Sequence, residues 1–111
     1  SMVNPINALF EDGITETFIL EDDKEILGMI KADVSPSCVI IHPHLYKVTK
    51  TTCFKIKELL KEVTKSIHNR YGFTSVSAIT HNHKFVNMIT EGKAVVVMEK
   101  AGTRIYELEI V

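Results

Sequence analysis

The sequence predicts an α+β domain: a mixed central sheet of about six strands with a helix on each face. Three observations carry that expectation. Residues 51–71 place Cys53, Ile56, Leu59, Leu60, Val63 and Ile67 at helical spacing among lysines and glutamates, which is one amphipathic helix. An unbroken apolar run, CVIIH (38–42), precedes it, and a strand-like FTSVSAITH (73–81) follows, so strand, helix and strand should form a crossover with parallel neighbours. The segments at both ends pair off around short turns, as antiparallel hairpins do.

Taken in order, residues 1–13 form a helical or irregular lead-in containing Pro5 and ending at Asp12-Gly13; Ser1 before Met2 has the look of a cloning remnant. A single domain covers 14–111. TETFIL (15–20) and EILGMIKADV (25–34) are strands joined by the acidic turn Glu21-Asp22-Asp23, with Gly28 placed as a bulge. VSPS (34–37) breaks the chain before strand 38–42. Thr51 or Thr52 is expected to cap the long helix, since a hydroxyl there accepts from the second or third helical N–H. Gly72 closes that helix, and Gly92 closes a second, short one over 83–92 with Phe85, Met88 and Ile89 on one side. Strands 93–100 and 103–111 turn at Ala101-Gly102.

Composition narrows the function classes. With 111 residues, 45% hydrophobic and 24% charged, the chain is of single-domain size and ordinary globular make-up. A formal net charge of −1 offers no basic field for nucleic acid or an anionic membrane, and the helix lysines interleave with acids as on a solvated face. No apolar run approaches the roughly 20 residues of a membrane span, and no signal peptide is visible, so a cytoplasmic location is expected. Cys38 and Cys53 are expected as buried thiols rather than a disulfide.

One feature points to chemistry. HPHLYKVTKTT (42–52) carries a strand into the start of a helix, where the first backbone N–H groups are unpaired and the dipole is positive, a setting that favours anions. The turn contains no glycine. In its order of parts over residues 14–111, with VIIHP (39–43) leading to the long helix and SAITHN (77–82) ending in Asn before a short helix, the chain resembles the GNAT family of N-acetyltransferases. The family's signature falls on Asn82 and on Gly92, which is followed by Lys93 instead of an aromatic residue; the family's lead helices have no counterpart in the segment before the first hairpin. A shortened member of this size would suit a viral or phage gene.

The resemblance implies acetyl-coenzyme A as cofactor, lying between two splayed parallel strands, and an amine acceptor, small molecule or protein, that attacks the thioester. It places Ile41 and His42 beside the pantetheine arm and Asn82 and Phe85 across from it. It places the pyrophosphate on the helix N-terminus at Lys47, Val48, Thr49, Lys50, Thr51 and Thr52. The family's phosphate loop maps on Tyr46 to Thr51, with Tyr46 where the family has Arg or Gln, and Thr49 and Thr51 where it has glycine or alanine. Two β-branched residues there obstruct close approach, while Lys47 and Lys50 supply charge.

For the general base, His42 is the first candidate and His81 the second, because imidazole titrates near neutrality and both residues are expected just past the ends of the parallel strands. The pairs His42/His44 and His81/His83 would each present two imidazoles on one side of an extended chain, but no cysteine or acidic spacing accompanies them, and no metal is expected. Glu16 and Glu25 are the nearest strand acids, and Phe85 stands on the short helix where the family carries a general-acid Tyr. The other reading, favoured by the altered loop, is a non-catalytic GNAT-derived module acting through a protein partner or as a homodimer joined at an exposed sheet edge.

Overall fold

The structure, a computed structural model, describes residues 13–111, so the expected lead-in lies outside the described residues except for Gly13. Strands β1 (Ile14–Glu21), β2 (Ile26–Val34) and β3 (Val39–Leu45) lead into helix α1 (Lys50–Tyr71). Strand β4 (Ser75–Thr80), helix α2 (His83–Ile89) and strands β5 (Val95–Lys100) and β6 (Thr103–Glu109) follow. The strands form one six-stranded sheet in the order β1-β2-β3-β4-β6-β5. Among the described strands, only β3 and β4 are parallel; every other neighbour is antiparallel.

Register decides which side chains share a face. Ile30 stands opposite Pro43, Ala32 opposite Ile41 and Val34 opposite Val39; Val76 and Ala78 stand opposite Leu108 and Tyr106. These residues form one apolar face, and Ile56, Leu60, Val63 and Ile67 of α1 pack on it together with Ile89 of α2. Both helices therefore lie over the same face, rather than one on each. The reason is in α2: its two buried residues, Val86 and Ile89, must meet the apolar row Ala78, Tyr106 and Leu108, which is on the side α1 already covers. The opposite face carries Thr15, Asp33, Ile40, His42, Ser77, Ile79 and Glu107, and no described helix covers it.

The long helix starts two residues earlier than a cap at Thr51 requires. Thr49 is the cap, with extended backbone; its hydroxyl accepts from Thr52 N–H (3.1 Å) while Thr52 Oγ1 accepts from Thr49 N–H (2.8 Å), a reciprocal capping box. Thr52 also donates to Lys47 O at 2.6 Å and is buried, so its hydroxyl holds the turn shut from inside. Gly72 closes the helix at φ 80°, a left-handed value that glycine adopts freely. At the last hairpin Ala101 (φ 52°) and Gly102 (φ 81°) are both left-handed, the pattern of a two-residue turn matched to strand twist. Cys38, expected inside a buried strand, is exposed in the turn where Ser35 N–H donates to its carbonyl; Cys53 is half-buried, and both thiols are free.

The bulge expected at Gly28 belongs to its neighbour. Leu20 pairs with Gly28 and Glu21 with Ile26, which leaves Leu27 as the extra residue. Gly28 is needed for space: a Cβ there would sit 2.6 Å from the His44 carbonyl oxygen of β3. Gly28→Ala must push β2 and β3 apart at the start of their ladder. We expect a loss of about 1–3 kcal/mol in urea denaturation, the usual cost of overpacking.

Glu16 ties the first strand to the end of α1. Arg70 donates to both carboxylate oxygens and Tyr71 Oη donates to Oε1 at 2.8 Å. The Arg70 hydrogen bond holds the carboxyl below the ordinary glutamate value against an opposing burial cost, with Tyr71 adding to the lowering. A depressed folded-state value means that the stability it lends is whole above the unfolded glutamate range and is lost as pH falls through the folded value. Glu16→Gln should therefore lower the melting temperature at pH 7 and leave it close to that of the parent near pH 3, as read by thermal melts at the two pH values.

Candidate active site

The parallel pair β3 and β4 opens after one rung. Ile40 with Ser77 is their only paired position among the described residues, although both strands run on. Backbone alternation explains the opening. Tyr46 N–H, just beyond β3, donates to Leu27 O at 2.9 Å, so the even-numbered residues of β3 turn their amides to β2 and the odd ones, Ile41 and Pro43 among them, turn toward β4. The next rung would draw on the N–H of residue 43, and proline has none. The strands part there, and a cleft of about 150 Å³ fills the gap. Ile41, His42, Pro43 and His44 line it from β3; Ala78, Ile79 and Thr80 line it from β4; Asn82, Phe85 and Val86 close it from α2.

Four of the residues singled out from the sequence thus meet: Ile41, His42, Asn82 and Phe85. Asn82 holds the start of α2 by accepting from Phe85 N–H at 3.2 Å, which fixes the Phe85 ring position on the cleft. The residues Lys47, Val48, Thr49, Lys50, Thr51 and Thr52 do not line this cleft and form the turn into α1. Within that turn the Thr49 and Thr52 amides are taken by the capping box, and Lys47 pairs with Glu25 at 3.2 Å. The N–H groups of Lys50 and Thr51 remain from the first turn, and both residues are exposed.

The histidines separate. His42 and His44 lie within β3, not past its end, and alternate onto the face without helices. His81 is exposed in the turn after β4, so it stands apart from the cleft lining. His83 opens α2 and is engaged elsewhere: its Nε2 meets Gly102 O at 3.0 Å and its Nδ1 meets Tyr106 Oη at 3.0 Å. The four imidazoles that an extended His81-Asn82-His83 would have gathered do not meet, because Asn82 turns the chain into a helix.

His42 has a partner that sequence reasoning missed. Its Nε2 lies 2.9 Å from Asp33 Oδ2, and Thr15 Oγ1 donates to Asp33 Oδ1 at 2.9 Å. The Thr15 hydrogen bond, opposed by burial and joined by that of His42, holds the Asp33 carboxyl below the ordinary aspartate value. An ionised carboxylate only accepts, so it selects the tautomer with the proton on Nε2 and leaves Nδ1 as the basic nitrogen. The signal was present in the hairpin register: in an antiparallel pair around VSPS, Asp33 stands opposite Ile40 and is a diagonal neighbour of His42 on the same face.

No protein-family model matches the sequence, and no curated protein matches it. Solved structures do resemble it. An aminoglycoside 6'-acetyltransferase type Ii superposes with a TM-score of 0.70 at 14% identity, covering 87% of this chain and 70% of that one. The N-acetyltransferase PseH of Campylobacter jejuni, in complex with acetyl coenzyme A, superposes with a TM-score of 0.68 at 14% identity, over 96% of this chain and 75% of that one. The fold is that of the GNAT acetyltransferases. A variant of the spermidine N-acetyltransferase SpeG of Vibrio cholerae shares this GNAT fold with a TM-score of 0.66 at 12% identity, over 94% and 70% of the two chains. Among the described residues of this GNAT fold, no helix is long and apolar enough to cross a membrane.

Proposed function

We propose that this chain is a GNAT-type N-acetyltransferase domain that passes an acetyl group from acetyl-coenzyme A to an amine, with His42 as general base. The observation that carries the reading is the wedge that Pro43 opens between β3 and β4, with an aspartate-held imidazole on its wall. The wedge suits a thioester cofactor's amide-bearing arm, since Ile41 and Ile79 have backbone groups there with no further ladder to join. The helix turn suits the pyrophosphate less well, because the capping box takes two of its amides and leaves those of Lys50 and Thr51.

When bound, acetyl-coenzyme A supplies the activated acetyl group. An amine in water is mostly protonated and has no lone pair to attack with; His42 Nδ1 takes its proton, and Asp33 stabilises the imidazolium that results. The new N–C bond forms as the C–S bond breaks, and the departing sulfur takes up a proton. Phe85 offers none, so that proton comes from solvent or from His42 itself. The acceptor reaches the face of the sheet that bears His42, Asp33 and Ser77. That face lacks a described helix, which favours an acceptor that enters from open solvent.

Isothermal titration with acetyl-coenzyme A and coenzyme A is the direct test, with Pro43→Ala beside the parent. Restoring an N–H at position 43 lets the ladder extend, so this variant should bind at least about tenfold more weakly and melt no lower. If the parent releases no heat with either ligand, the acetyltransferase reading falls.

A further inference from the structure

The head of α2 is held differently from its tail. Val86 and Ile89 are buried against the sheet, whereas Asn82, His83, Lys84 and Phe85 are exposed or half-buried. Asn82 and Phe85 nevertheless line the wedge. His83 does not line it. It reaches the last hairpin instead, and the hydrogen bonds around it run in one direction. The Gly102 carbonyl only accepts, so His83 Nε2, 3.0 Å away, carries a proton. With one proton on the ring, Nδ1 accepts, and Tyr106 Oη donates to it at 3.0 Å. Arg104 only donates, and its Nη1 gives to the same hydroxyl at 3.1 Å. Glu99 holds Arg104 in turn by accepting from its Nε at 2.7 Å.

We propose that His83 is a positioning residue for the cofactor wedge: it ties the head of α2 to β6 and so fixes where Asn82 and Phe85 stand. The inference rests on the reading of the wedge as an acetyl-coenzyme A site. Tyr106 makes the tie rigid. It is buried, its hydroxyl is engaged by both Arg104 and His83, and its backbone pairs with Ala78 of β4, which lines the wedge. The chain Arg104, Tyr106, His83 therefore joins two walls of the wedge, β4 and α2, through a strand that does not itself line it. Walls fixed before the ligand arrives lose less freedom when it binds, which is how a residue out of reach of the cofactor raises its affinity. The head of α2 needs such a tie because the helix has only seven residues, and its two buried side chains both lie in its second half.

Titration calorimetry with acetyl-coenzyme A, steady-state kinetics and amide exchange on the full chain test this. His83→Ala removes both bonds and should weaken binding, and raise KM, about tenfold, while kcat changes far less. Tyr106→Phe removes one bond and should weaken binding about threefold. The double variant should bind as His83→Ala does, because the hydroxyl acts on α2 only through the imidazole. His83→Gln keeps a donor for Gly102 O and should recover part of the loss. In the free protein, the amides of Phe85 and Val86, which bond back to Asn82, should exchange faster in His83→Ala, with exchange in β2 and β3 unchanged. A double variant weaker than His83→Ala by the whole Tyr106→Phe effect overturns the proposal. So does faster exchange spread evenly over the sheet, or none at α2. A parent that gives no heat removes the acetyltransferase reading and the role of His83 with it. A parent that binds, beside a His83→Ala of equal affinity, removes the positioning role alone.

Discussion

Replacing His42 by glutamine is expected to lower kcat for acetyl transfer about 10²–10⁴-fold, the usual contribution of a positioned general base. The glutamine amide keeps approximate size and polarity but has no lone pair of comparable basicity. The acetyl-coenzyme A affinity should change far less, because His42 contributes one side of a cleft shared by both strands and α2. Asp33→Asn should cost less, on the order of tenfold to a hundredfold, because it leaves the base in place and removes only what orients it. An asparagine amide can donate to the ring, which favours the opposite tautomer and moves the basic nitrogen to Nε2. A loss in kcat without a matching change in the KM for acetyl-coenzyme A separates a base from a scaffold residue. The measurement is thiol release from acetyl-coenzyme A with a panel of di- and polyamines. A variant with parental kcat would remove His42 from the chemistry.

Thr51→Asp is expected to weaken coenzyme A binding at least about a hundredfold while leaving the fold intact. Thr51 sits in the first turn of α1, and its amide, with that of Lys50, is what the capping box leaves for an anion. A carboxylate at that position occupies those amides itself and repels a pyrophosphate. It does not harm the helix, because acidic residues near a helix start complement the dipole and this first turn contains none. Thr49→Gly is the opposite change. It frees the Thr52 amide from its cap and should raise the affinity, at a cost of about a few tenths of a kcal/mol in helix stability. Titration calorimetry of the parent and both variants, beside melts, reads both effects. If Thr51→Asp binds as the parent does, the turn is a helix cap and nothing more, and the non-catalytic reading takes over.

The elements of this chain were legible because their signals are local. The helical spacing from Cys53 to Ile67, the turn at Ala101-Gly102 and the apolar run before His42 each depend on residues a few positions apart, and the structure has an element at each. Asn82 and Phe85 could be placed together for the same reason: they belong to one helix start. Even the order of the parts was enough to point to the GNAT fold.

Tertiary structure alone decided the rest, and in each case the deciding contact joins separate elements or depends on alternation that cannot be counted until a register is fixed. One local contact is the exception: Thr49 caps α1 instead of Thr51 because the Thr52 hydroxyl donates to Lys47 O and closes the turn around Thr49. Both helices share a face because Val86 and Ile89 must meet Tyr106 and Leu108, and which way a strand's odd residues point is set by its neighbours, not by its composition. Leu27, not Gly28, is the bulge, because β1 pairs Leu20 with Gly28 and Glu21 with Ile26, while the β3 carbonyl at His44 is what leaves no room for a side chain at Gly28. The site followed the same rule. Sequence supplied His42 as a candidate base within VIIHP; the sheet keeps His42 and Pro43 within one strand, turns the missing N–H of Pro43 into an open wedge, and brings Asp33 to within 2.9 Å of the imidazole. A residue type can announce the chemistry it is able to do, but only a register can give it the partner that orients it.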